Sequence, residues 1–153
     1  MNQANVNSYL RTKILTASPD QLRLMLYDGA IKFCRQAKAA IQEQKFEDSC
    51  NNLLRAQKIV LELSTSLNHK LDPPLCGKLA SLYNYIYHQL VEANMSRKIE
   101  AIDEAIRLIQ YEQETWQLLM NKIADKGGPS PPDTHNALSH AQQTAISSLS
   151  QSV

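Results

Sequence analysis

Glycine is nearly absent from this chain, with four residues in 153. With it go the loops that wrap phosphates: there is no GxxxxGK, no Rossmann glycine pattern and no GxSxG elbow, so nucleotide-driven and elbow-serine chemistry find no footing. Cysteine is scarce as well. Cys34, Cys50 and Cys76 lie far apart without a CxxC pair, which argues against a disulfide framework and for ordinary reduced thiols. Surplus charge is missing: 16 basic and 15 acidic residues leave a net charge of +1, which speaks against nucleic acid as the main partner. Lys32, Arg35 and Lys38 carry no interleaved aromatic and read as a solvated face. No apolar run approaches the roughly 18 residues of a membrane span, and MNQANVNSYLRT lacks an apolar signal core. The expectation is a soluble cytoplasmic protein with no membrane insertion. No glutamate has a histidine three residues on, so a carboxylate-bridged di-iron site is not encoded. His88 and Glu92 lie one helical turn apart, but without a second cluster they read as an exposed pair. No enzyme, metal or cofactor is expected, and no internal repeat or strand-hairpin signal occurs.

What the chain does have is helical periodicity. Ser18, Pro19 and Gln21 make an N-cap, a first-turn proline and a capping box, opening a helix that the pattern carries to about Glu43. Gln44 and Lys45 form a tight connection to a second helix from about Phe46 to Leu67, with a stripe of Leu53, Ala56, Val60, Leu63 and Leu67. Asp72 followed by Pro73 and Pro74 starts a third helix, to about Asn94, with Leu79, Leu82, Ile86 and Leu90 facing inward. Ser96 can cap a fourth, in which Ile99, Ile102, Ile106, Ile109, Gln113, Trp116, Met120 and Ile123 keep a three-four alternation. On its outer face Asp103 and Arg107 are spaced for an ion pair. Gly127, Gly128 and Pro129 stop that helix. The fold class is all-α: an antiparallel four-helix bundle at 18–126, an irregular N-terminal segment at 1–17 and a flexible tail at 127–153.

The first three helices carry more apolar surface than one core needs. Beyond Leu22, Leu26, Ala30, Phe33 and Ala37, the first helix shows Leu24, Tyr27, Ile31 and Cys34; the second adds Leu54 and Leu61, and the third adds Tyr83, Tyr87 and Val91. The fourth looks economical. Two readings stand: central helices that touch two neighbours, or a groove lined by Leu24, Tyr27, Ile31, Leu54, Leu61, Tyr83, Tyr87 and Val91 that takes a partner helix. Tyrosines, with apolar bodies and polar tips, suit a surface that is sometimes wet and sometimes covered. Gly29, inside the first helix, costs about 1 kcal/mol relative to alanine and implies a close approach by another helix or a bound backbone.

The blocks TASPDQLRLMLYDGAIKF (Thr16 to Phe33) and LASLYNYIYHQLVEAN (Leu79 to Asn94) resemble the flagellin-specific export chaperone family, FliS, over roughly Tyr9 to Trp116. The resemblance implies a helical bundle that holds the disordered C-terminal segment of flagellin, prevents its premature polymerisation, and delivers it to the gate proteins of the flagellar type III export apparatus. It also implies that an N-terminal segment bearing Tyr9 and Ile14 covers the binding surface. The chain departs from the family between its second and third helices, where Asn68 and Asp72–Pro73 replace the usual Asp and glycine pair. A self-associating scaffold without a flagellin client, or a weak homodimer, is the alternative. Beyond the resemblance, Leu138, Ala141, Ala145, Leu149 and Val153 recur at helical spacing in a Ser-, Ala- and Gln-rich tail. Such a tail could fold back into the groove as a mimic of the client.

Overall fold

The computed structural model describes residues 3–67, 73–125 and Leu149. Among the described residues five helices run in chain order: α1 (Gln3–Thr16), α2 (Pro19–Gln42), α3 (Phe46–Thr65), α4 (Pro73–Ser96) and α5 (Ile99–Asp125). All the secondary structure among the described residues is helical. The count of four helices is therefore corrected to five, because residues expected to be irregular form α1. Its sequence offers only thin apolar spacing, Val6, Leu10 and Ile14. Its threonines bond back along the helix, Thr12 Oγ1 to the Ser8 carbonyl and Thr16 Oγ1 to the Thr12 carbonyl, each at 2.9 Å. Ile14 is fully buried, with Leu10 packed on the core, so tertiary burial adds what local propensity lacks.

The capping box that opens α2 forms as the sequence implies. Gln21 N–H donates to Ser18 Oγ at 3.2 Å, and Ser18 N–H donates to Gln21 Oε1 at 3.1 Å. At the far end Gln44 turns left-handed with φ 60°, and Lys45 N–H donates to the Ala40 carbonyl at 2.8 Å, closing a tight turn into α3. The α4–α5 connection uses the same device, with Arg97 at φ 52°. Ser96 is consequently the last residue of α4 rather than a cap for α5; its hydroxyl donates to Glu92 Oε1 at 3.2 Å. The Arg97 guanidinium lies 3.6 Å from the Phe46 ring centroid, which brings the two turns together at one end of the molecule.

α2 packs against α3 and α5, and α4 packs against the same two helices. Between them lie both stripes of α2, the Leu53–Leu63 stripe of α3, Tyr83, Ile86, Leu90 and Ala93 of α4, and Ala101, Ile102, Ala105 and Ile109 of α5. α2 buries so much because it meets two long neighbours and is also covered by Leu149. The ion pair expected between Asp103 and Arg107 is replaced by two others: Arg107 pairs with Glu104 at 2.8 Å, and Asp103 accepts from Lys38 of α2 at 2.8 Å. Asp103 thus ties α5 to α2, and Glu104 is left as the closer partner for Arg107 on its own helix. Of the connection between the second and third helices, residues 68–72 lie outside the described residues, as does the tail at 127–153 apart from Leu149, with Leu138, Ala141, Ala145 and Val153.

Candidate functional site

Two kinds of surface could do work: a buried polar cluster at one end and apolar rows left in the open. The cluster centres on Arg23, in the second turn of α2, which is 9% exposed. Its Nε donates to Tyr27 Oη at 3.2 Å, Nη1 to Ser66 Oγ at 3.1 Å and Nη2 to Tyr83 Oη at 2.7 Å. The two tyrosine hydroxyls share a 2.6 Å hydrogen bond, and the guanidinium lies 4.9 Å from the Trp116 ring centroid. One arginine thus gathers α2, the end of α3, α4 and α5. Burial opposes its charge, but the electron-rich hydroxyls of Tyr83 and Tyr27 more than offset that, holding the guanidinium charged. Burial pushes the Tyr83 hydroxyl well above the ordinary tyrosine range, with Arg23 pulling against it. Burial likewise raises the Glu112 carboxyl, again against Arg23, and lifts the Cys34 thiol to about 12, which makes it an inert core group.

The residues expected to line a groove divide between core and surface. Tyr27, Ile31 and Tyr83 are buried, so as free-standing surface groups they are corrected to core positions. Tyr27 and Tyr83 turn inward because their hydroxyls find the buried Arg23, a partner their own helices do not reveal. Leu24, Tyr87 and Val91 are half-buried; Leu54 and Leu61, two turns apart on α3, stand 44% and 48% exposed. Ile14 of the N-terminal segment is buried, whereas Tyr9 of the same helix is 70% exposed. α5 is less economical than its seam suggests, since Tyr111, Leu118 and Leu119 are exposed beyond it. Tyr111 and Leu118 repeat the seven-residue step of Leu54 and Leu61, a signal that the cleaner inward alternation conceals. Arg23 was also missed; an arginine one turn before a tyrosine, inside an apolar run, was the available sign.

Among the described residues two cavities flank α2. One of about 460 Å³ is polar, lined among others by Asp28, Lys32, Arg35, Gln110 and Gln113, with Gln113 Nε2 donating to Asp28 Oδ1 across it. The other, about 190 Å³, lies where α1, Gly29 of α2 and Leu149 meet. Among the described residues no group of three or more His, Cys, Asp or Glu could hold a metal ion, and His88 and Glu92 are both exposed. No described helix is long and apolar enough to cross a membrane. The arrangement offers large apolar contact and fixed polar anchoring.

Residues 1–123 match the family described as Flagellar protein FliS. Among curated proteins, the flagellar secretion chaperone FliS of Bacillus subtilis (strain 168) is 32% identical over 122 residues, covering 79% of this chain and 90% of the relative. The protein of the same name from Campylobacter jejuni is 28% identical over 120 residues, covering 78% of this chain and 94% of the relative. That from Escherichia coli (strain K12) is 26% identical over 116 residues, covering 75% and 85% respectively. All three match less than the whole chain, in keeping with a family match that ends before the tail. The chain belongs to the FliS family of flagellar secretion chaperones, which are not enzymes.

Proposed function

We propose that this protein is a cytoplasmic chaperone that binds the disordered C-terminal segment of flagellin, prevents its premature polymerisation and delivers it to the gate proteins of the flagellar type III export apparatus. In this reading α2 to α5 form an antiparallel four-helix bundle, consistent with the two tight turns that meet at Phe46 and Arg97. The observation that carries the reading is the row of Leu54 and Leu61, still exposed after the core has closed. A flagellin terminus that packs as coiled coil in a filament must hide its apolar stripe beforehand, and an outward leucine row two turns long suits an amphipathic helix. Half-buried Leu24, Tyr87 and Val91 extend the contact surface, and buried Tyr27, Ile31 and Tyr83 support it from beneath. α1, anchored by Ile14 and carrying Tyr9 outward, leaves Leu54 and Leu61 open, and in this reading it covers another part of the contact surface until the client displaces it. Capture and release run on binding energy alone and need no cofactor.

The exposed leucines suit self-association as well, and a homodimer or scaffold is the second reading. Sedimentation of the purified protein alone and with flagellin separates the two. A monomer that forms a complex only with flagellin supports the chaperone. Concentration-dependent self-association that flagellin leaves untouched supports the scaffold.

A further inference from the structure

Leu149 and α1 come together beside Gly29 of α2. Leu149 is 7% exposed, and a Cβ placed on Gly29 would collide with its side chain and come within 3.3 Å of Ile59 Cδ1. A glycine weakens the interior of a helix relative to alanine, so its presence in α2 calls for a neighbour that needs the space. Leu149 is that neighbour. The notch it enters is shared with α1: Leu10 and Lys13 line it from one side, and Met25, Gly29 and Phe33 from the other. Leu149 lies beyond the residues that match the family and Gly29 within them, so this contact joins the matched part of the chain to the part outside it.

We propose that Leu149 is a latch, a single aliphatic knob seated in the Gly29 notch that holds α1 against α2. The C-terminal segment thereby sets how readily the N-terminal helix leaves the core. Because the knob and α1 line the same cavity, losing either opens that cavity to water and loosens the other, and the two release together. The consequence for a client rests on the reading of function above. If α1 covers the binding surface, a seated Leu149 slows flagellin capture and an unseated one speeds it.

Amide exchange and methyl NMR on the full-length chain test the latch without a client. Leu149→Ala should raise exchange across residues 3–16 by about tenfold and shift the Met25 methyl resonance, while Met95, exposed on α4, stays where it is. Gly29→Ala should do the same, because its new methyl group evicts Leu149, and the double variant should add little to either single one. Unchanged exchange in α1 for both variants overturns the proposal, even if Met25 shifts, since Leu149 would then fill the notch without holding the helix. A further arm with flagellin keeps the two readings apart. Faster capture by Leu149→Ala supports both, whereas failure of every variant to bind flagellin overturns the chaperone reading and leaves the exchange result standing.

Discussion

Arg23 is a charge taken out of water, and its bonds to Tyr27, Ser66 and Tyr83 make that tolerable. Tyr83→Phe removes the acceptor of the shortest of these bonds and should cost about 1–3 kcal/mol in urea unfolding. Tyr83→Ala also empties a fully buried site and should cost about 3–5 kcal/mol. Tyr83 is thus expected to affect flagellin capture through stability, and a folded Tyr83→Ala variant of unchanged stability would contradict its placement. Glu112 gives a pH signature. Burial raises its carboxyl pKa in the folded state, so between the ordinary glutamate range and that raised value the folded protein binds more protons than the unfolded one. Its contribution is fully favourable below about pH 4.3, the ordinary glutamate pKa, and declines as pH rises through the window. Glu112→Gln should therefore gain on the natural protein between pH 4 and pH 7, as read from urea midpoints; an equal difference at both would argue against a buried carboxyl. Gly77 is the counterpart of Gly29: it is exposed in α4 with nothing within 4 Å of an added Cβ, so Gly77→Ala should stabilise by about 0.5–1 kcal/mol.

α1 and α2 show what a sequence discloses about elements and what it conceals. The start of α2 was legible because its signal is local: Ser18, Pro19 and Gln21 sit within four positions, and Ser18 and Gln21 bond to each other. α1 was not, because its apolar spacing is thin and its burial comes from Ile14 reaching a core built by later residues. The inward turn of Tyr27 and Tyr83 was equally hidden, for the partner of Tyr83 is Arg23, 60 residues away, on another helix. Tyrosine serves buried and exposed roles alike, so its spacing alone leaves the role open. Leu54 and Leu61, by contrast, stand outward on α3 as a second stripe apart from its core, the arrangement their spacing implied. Replacing both with serine should weaken flagellin binding by about 1–3 kcal/mol while thermal unfolding stays nearly unchanged, since neither contributes to the core. Deleting residues 1–15 should speed or tighten flagellin binding, because a competing cover is gone. Weaker binding after the deletion would mean that α1 grips the client instead.

At the scale of the whole molecule, the chain joins a closed core to surfaces that the core does not use. Arg23 ties the helices at one end and the paired turns tie them at the other, so binding energy need not be spent on ordering the chaperone. In the proposed function the ordering falls on the client, which would arrive disordered and leave bound as helix. A near-neutral chain, with net charge +1, should bind with little dependence on salt, unlike a contact driven by counterion release. Isothermal calorimetry of the full-length protein against matched flagellins, intact and lacking the C-terminal segment, tests the central claim most directly. The account predicts binding to the intact form with a negative heat-capacity change and a gain of helix, and none to the truncated form. Equal binding to both would contradict it.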